Sequence, residues 1–258
     1  MKVNSPAATN GQTPQRSLIV GVTGASGLIY AVRMVRYALA AGATVDLVAS
    51  KAAQMVWQAE QNQRMPVSPA DQEQFWRQQA QVPTAGVLRC HPWGDVGATI
   101  ASGSFRTLGM VVIPCSMSTV GKLAAGLSSD LLERAADVQL KEGRPLVLVP
   151  RETPFSLIHL RNLTALAEAG VRIVPAIPAW YHQPQTIEDL VDFVVARALD
   201  QLDLDYVDSF QRWQGHLFPE KTPEKTPEKT PEKTPEKTTS ESSPASPQPP
   251  RDDRGSPL

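Results

Sequence analysis

Short apolar runs that end in small-residue turns and lead into amphipathic helical stretches recur along this chain. That alternation restricts the fold more than any other feature. Residues 109–114 (GMVVIP) carry no charged or hydrophilic side chain, as expected of a strand whose sheet is covered on both faces. Residues 17–22, 44–49, 87–90, 145–149 and 171–175 read as further strands. Between them, apolar residues at helical spacing predict helices. The first follows residue 27 with a stripe of Leu28, Val32, Val35 and Leu39, and the next runs from Lys51 to Glu60. Others cover 69–80, the residues after Thr119, 131–141, 156–169 and 185–202. At least five βα units between residues 17 and 204 predict one doubly wound α/β domain with a mostly parallel sheet.

Ligands of such a sheet lie beyond the carboxyl ends of its strands, so the residues after each apolar run are the site candidates. The first turn, TGASG at 23–27, places Gly24, Ala25 and Ser26 before a helix N-terminus, where free amides and the helix dipole attract anions. Ser50 follows the second strand as an N-cap candidate. The central strand ends in PCSMST, and Ser116, Met117, Ser118 and Thr119 make a second cradle. In residues 131–162, Arg134 and Lys141 sit on a helix before a buried strand. Arg151 and Glu152 follow that strand directly, and together these four predict a phosphate site. His91 and Trp93 follow the third strand, and Trp180, Tyr181 and His182 occupy a proline-bounded loop. Arg197 lies near the end of the last helix. Glu142 and Arg144 read as solvated helix decoration.

The 258 residues carry a formal charge of −1, so no global field draws the chain to nucleic acid or anionic lipid. Any anion site must be local. Cys90 and Cys115 are the only cysteines and read as reduced thiols of a cytoplasmic protein. No window offers the ~18 apolar residues a membrane span needs. Residues 1–16 read as a disordered extension, 17–218 as the folded domain and 219–258 as a disordered tail. The tail repeats PEKT, holds 10 of the 23 prolines and no aromatic residue, and balances seven basic against eight acidic side chains. It has too little apolar surface to fold.

Five motifs in order, TGASG, SKAAQ, PCSMST, LLERAADVQLKEGRPLVLVPRETPFS and PAWYHQPQTIEDLVDFVVAR, make residues 17–204 resemble the UbiX-type flavin prenyltransferases. The resemblance implies a Rossmann/flavodoxin-like three-layer sandwich. It also implies transfer of a dimethylallyl group from dimethylallyl monophosphate to N5 and then C6 of reduced FMN. The product, prenylated FMN, would serve a UbiD-type decarboxylase, as in ubiquinone biosynthesis. The family uses no metal and forms homododecamers with sites at subunit junctions. Carried over residue by residue, Gly24, Ala25, Ser26, Ser50, Ser116, Met117, Ser118, Thr119 and Arg151 correspond to FMN contacts. Ser102, Gly103, Arg134, Lys141, Glu152, Tyr181 and Arg197 correspond to contacts of the dimethylallyl phosphate. Ser26, Glu60, Lys141 and Glu152 take catalytic places, with Glu60 matching a carboxylate close to the reacting flavin.

The chemistry asks for these residue types. Ionising an allylic phosphate separates charge, and guanidinium, ammonium and phenol donors stabilise the departing anion. Trp93 and Trp213 offer π faces to an allylic cation. Ser118 stands where many relatives have glycine, and Lys122 falls in a helix turn that is usually apolar. One rival is a flavin-dependent cysteine decarboxylase, which shares the fold. Its PASANT-like segment, early histidine and PxMNxxMW motif are missing. A second rival, a non-catalytic FMN carrier or decarboxylase accessory subunit, has no use for Arg134, Lys141, Glu152 and Arg197 together.

Overall fold

The structure, a computed structural model, describes residues 17–202, 204–207 and 212. The extension 1–16, the tail 219–258, the domain end at 218 and Trp213 lie outside the described residues. Six parallel strands form one sheet in the order β3-β2-β1-β4-β5-β6. They are β1 (Ser17–Val22), β2 (Thr44–Ala49), β3 (Val87–His91), β4 (Thr107–Cys115), β5 (Leu146–Pro150) and β6 (Arg172–Ile173). The order reverses between β1 and β4, so the crevice between their following turns is the switch point at which α/β sheets bind ligands.

The helices are α1 (Ile29–Ala40), α2 (Lys51–Gln61), α3 (Pro69–Ala80), α4 (Met117–Ala124), α5 (Leu131–Lys141), α6 (Leu157–Glu168) and α7 (Ile187–Leu199). Alternate strand residues send side chains to opposite faces, and two cores result. Leu18, Val20, Leu47, Val111 and Val147 pack with residues of α1, α2, α3 and α7 on one face. Ile19, Val48, Met110, Val112 and Leu148 pack with α4, α5 and α6 on the other. The sheet thus lies between two helical layers. The predicted stripe of α1 rotates slightly: Ala31, Met34, Val35, Ala38 and Leu39 are buried, and Val32 is half-buried.

The third strand takes in His91 and the fifth is shifted by one residue to Leu146–Pro150, while two strands change more. The central strand is longer than its apolar run, because Thr107 and Leu108 already pair in the sheet. The last strand shrinks from five residues to Arg172–Ile173, although Val174 and Ala176 still donate to Leu148 and Pro150 carbonyls at 2.9 and 3.0 Å. No helix among the described residues is long and apolar enough to cross a membrane.

Candidate active site

The turn after β1 is held by a residue 33 positions away. Glu60, in the last turn of α2, accepts the Gly27 amide on Oε1 at 2.7 Å and the Leu28 amide on Oε2 at 3.0 Å. A carboxylate there caps α1 and complements its dipole. Gly24 sits so tightly on α2 that a Cβ would come within 2.5 Å of the Ala52 Cβ. Glu60 and Gly24 together hold the turn in shape. The amides of Gly24, Ala25 and Ser26 have no partner among the described residues, and the Ser26 hydroxyl is exposed.

Thr23 ties this turn to the next. Its hydroxyl donates to the Pro114 carbonyl at 2.7 Å and accepts from the Ser116 amide at 2.8 Å. Sequence reasoning missed Thr23, since its partners lie more than 90 residues away. Ser116 caps α4 by accepting from the Thr119 amide at 3.3 Å, and its hydroxyl meets that of Thr119 at 3.1 Å. The Met117 side chain is buried in the core, so its amide is what it offers to a ligand. The first amides of a helix have no partner within it. Ser50 caps α2 through the Ala53 amide at 3.1 Å, and its O–H remains a donor. Burial pushes the thiol of Cys115, inside the same motif, far above the ordinary cysteine value, so it stays protonated.

Arg151 follows β5, with its amide bonded to the Cys115 carbonyl at 3.1 Å. Its side-chain Nε is buried without a hydrogen-bond partner among the described residues. Its charge reaches Tyr30, whose phenol is pushed up by burial and drawn partly back by Arg151. Glu152 Oε1 accepts the Thr153 amide at 3.0 Å. Arg151, Glu152, Phe155 and Ile177 line a pocket of ≈ 270 Å³ at this edge.

Ser102, Gly103 and Lys141 do not converge here within one chain. Helix α5 leads into β5 and runs antiparallel to it, so Lys141 lies at the amino edge of the sheet, with only Glu142, Gly143, Arg144 and Pro145 between it and Leu146. Within one chain, then, Lys141 stands at the start of β5 and Arg151 at its end, because a helix that precedes a strand delivers its last turn to that strand's start. Arg134 is two turns nearer the carboxyl edge, about 10 Å along the axis. Ser102 and Gly103 precede β4 and meet α5 at the amino edge. Arg144 donates to the Gly103 and Phe105 carbonyls, each at 2.6 Å, and a Cβ on Gly103 would lie 2.3 Å from Glu142 Oε1. Arg144 is thus a clamp on this turn rather than solvated decoration. Arg134 and Lys141 are exposed.

A third group lies along α7, on the opposite face of the sheet. Tyr181 packs edge-on against Phe193 with ring centroids 5.9 Å apart, and Arg197 is one helical turn further on. Phe193 and Arg197 line an open groove of ≈ 490 Å³ beside β6 with Arg172, Pro175 and Ile177. Arg197 also pairs with Asp200 at 2.6 Å. One chain therefore displays the carboxyl-edge cradle, the α5 edge and the α7 face, and the Arg151 pocket and the α7 groove share Pro175 and Ile177.

Residues 6–199 match the Flavoprotein family. Over 198 residues the chain is 74% identical to a flavin prenyltransferase UbiX of Synechocystis, covering 77% of this chain and 96% of that protein. This chain belongs to the flavin prenyltransferase family. A UbiX from Alkalihalophilus pseudofirmus is 44% identical over 199 residues, 77% of this chain and 96% of its own length. Among solved structures, AnUbiX in complex with FMN and dimethylallyl pyrophosphate is 40% identical with a TM-score of 0.68, covering 78% of this chain and 99% of AnUbiX. A dodecameric FMN-dependent UbiX-like decarboxylase from Escherichia coli O157:H7 is 46% identical with a TM-score of 0.65, covering 77% of this chain and all of its own, 100%.

The cradle of this flavin prenyltransferase fits a flavin mononucleotide. Unpartnered amides at 24–26, the capped N-terminus of α4 and the partnerless Nε of Arg151 are donors without acceptors, and a phosphate or flavin carbonyl supplies acceptors. Such donors would otherwise be costly to bury.

Proposed function

We propose that this chain joins a dimethylallyl group from dimethylallyl monophosphate to N5 and C6 of reduced FMN in the cytoplasm, giving prenylated FMN for a UbiD-type decarboxylase. The observation that carries the reading is the buried, partnerless Arg151 Nε among unpartnered turn amides, in a chain 74% identical to a flavin prenyltransferase over 198 residues. Reduced FMN, when bound, supplies the nucleophilic nitrogen and carbon. Gly24–Ser26, Ser50, Ser116–Thr119 and Arg151 bind and orient it. Ser26 places a hydroxyl donor at the head of α1, and Glu60 fixes that turn from beneath.

The active unit is a homo-oligomer, as in the dodecameric relative. The α5 edge (Ser102, Gly103, Arg134, Lys141) and the α7 face (Tyr181, Arg197) complete sites in neighbouring copies. There the guanidinium, ammonium and phenol groups hold the allylic phosphate and stabilise it as it departs. Glu152, at the rim of the cradle, takes the proton released when the second bond closes. Trp93, 42% exposed, offers a π face to the developing allyl cation.

The test is incubation of purified protein with reduced FMN and dimethylallyl monophosphate, and in parallel the pyrophosphate found with AnUbiX, followed by mass spectrometry. The expected product is FMN heavier by one C5 unit. Bound but unchanged FMN with both donors refutes the transferase reading and leaves a flavin carrier.

A further inference from the structure

We propose that the Lys122–Glu133 ion pair is a positioning device that fixes the helix bearing Arg134 against α4 of the same chain, so that Arg134 is presented at a set angle to the cradle of a neighbouring copy. The proposal rests on the assignment of Arg134 to the allylic phosphate. Glu133 is nearly fully buried, with a side chain 3% exposed, and lies in the first turn of α5 beside Arg134. Its Oε1 accepts from Lys122 Nζ at 2.6 Å. Its Oε2 accepts from the Ser129 amide at 2.8 Å and the Ser129 hydroxyl at 2.5 Å. Burial pushes this carboxyl up, but the bonds from Lys122 and Ser129 outweigh burial and leave it below the ordinary glutamate value. It is therefore held ionised.

The geometry makes this pair more than a fastening. Lys122 belongs to the last turn of α4, and the first turn of α4 is the Ser116–Thr119 cradle. Arg134 has no ion pair or side-chain hydrogen bond of its own among the described residues, so its position follows that of the first turn of α5. Beside the core packing of Leu131 and Leu132 with Val120 and Leu123, three polar contacts set that turn: the Leu131 amide on the Trp93 carbonyl at 2.9 Å, the Asp130 cap on the Glu133 amide at 2.9 Å, and the Glu133 carboxylate. Of these polar contacts the last reaches α4. A pair with its carboxylate buried and its ammonium half-exposed acts by fixing where the two helices meet, and a site tolerates little looseness in the shell that supports it. Lys122 and Glu133 thus set the angle at which Arg134 is presented.

The experiment varies dimethylallyl monophosphate at saturating reduced FMN for wild type, Lys122→Met, Lys122→Arg, Glu133→Gln and Arg134→Ala, with FMN affinity and thermal midpoint measured on each. The expected result for Lys122→Met and Glu133→Gln is a rise in KM for the phosphate of about 10- to 100-fold, the scale of a ~1 Å misplacement, with FMN affinity unchanged. Lys122→Arg restores the wild-type KM. Lys122→Met leaves both Ser129 bonds in place, so it carries the test even if Glu133→Gln does not fold. A lowered thermal midpoint with wild-type KM in Lys122→Met overturns the proposal and leaves a purely structural pair. A wild-type KM in Arg134→Ala overturns instead the phosphate role of Arg134, on which the proposal depends.

Discussion

Replacing Arg151 by Met separates what the guanidinium does for the fold from what it does for the flavin. The Arg151 amide remains bonded to the Cys115 carbonyl at 3.1 Å, so the backbone at the end of β5 is held whatever the side chain. In the ligand-free protein the buried Nε has no partner, and an unsatisfied buried donor costs about 1–3 kcal/mol. Met has a stem of comparable length and no donor, so ligand-free Arg151→Met should unfold at the same temperature as wild type or higher. With FMN present the sign reverses. A hydrogen bond from a charged group contributes about 1.5–3 kcal/mol, so its loss weakens FMN binding by about 10- to 150-fold. Quenching of flavin fluorescence in a titration of flavin-free protein gives the affinity, and thermal melts of the same samples give stability. The Tyr30 phenol, now without the nearby positive charge, should titrate higher than in wild type. Unchanged FMN affinity, or a large drop in the stability of the ligand-free variant, would refute the reasoning.

Glu60→Gln should retain FMN yet slow adduct formation, and it should lower stability by about 1 kcal/mol, because an amide nitrogen replaces one acceptor facing the Gly27 and Leu28 amides; wild-type turnover in a stopped-flow assay removes Glu60 from the mechanism. Arg197→Ala should raise KM for the phosphate substrate without loss of flavin colour, since Arg212 and Tyr206 still hold Asp200 at 2.7 Å; loss of flavin would show the residue misassigned. Burial raises Asp46, but bonds from His91, Arg89 and Ser17 outweigh burial and hold its carboxyl below the ordinary 3.8. A depressed carboxylate stabilises the fold above its unfolded value and loses that contribution as pH falls through the folded one. Unfolding measured below about pH 4 should therefore show a shallower pH slope in Asp46→Asn than in wild type, and equal slopes contradict this. Removing residues 219–258 should change neither activity nor oligomer size in light scattering, because the PEKT repeats cannot bury a core.

The strand–turn–helix rhythm made the doubly wound sheet legible, because continuous apolar runs such as 109–114 need cover on both faces. The turn residues of the cradle were legible for the same reason: TGASG and PCSMST stand where apolar runs stop. What sequence did not show was reach across the fold. Glu60 is singled out by the family resemblance alone, and nothing in its local sequence marks the amides of Gly27 and Leu28 as its partners. Thr23 reads as a turn residue until it bridges β1 to the loop after β4. Arg144 reads as solvated because nothing nearby in sequence marks the carbonyls of Gly103 and Phe105 as partners. Lys141 and Arg151 differ in another way: they stand only ten residues apart in sequence, yet strand β5 runs between them and separates them by its own length within one chain.

The central claim is that cations displayed on different elements of one chain meet at a single phosphate once copies assemble. A crystal structure of the assembled protein with FMN and dimethylallyl monophosphate measures it directly. Arg134, Lys141, Tyr181 and Arg197 should lie within hydrogen-bonding distance of the allylic phosphate, contributed by subunits other than the one whose Arg151 meets the flavin. Finding these side chains far from the phosphate and surrounded by bulk solvent would contradict it.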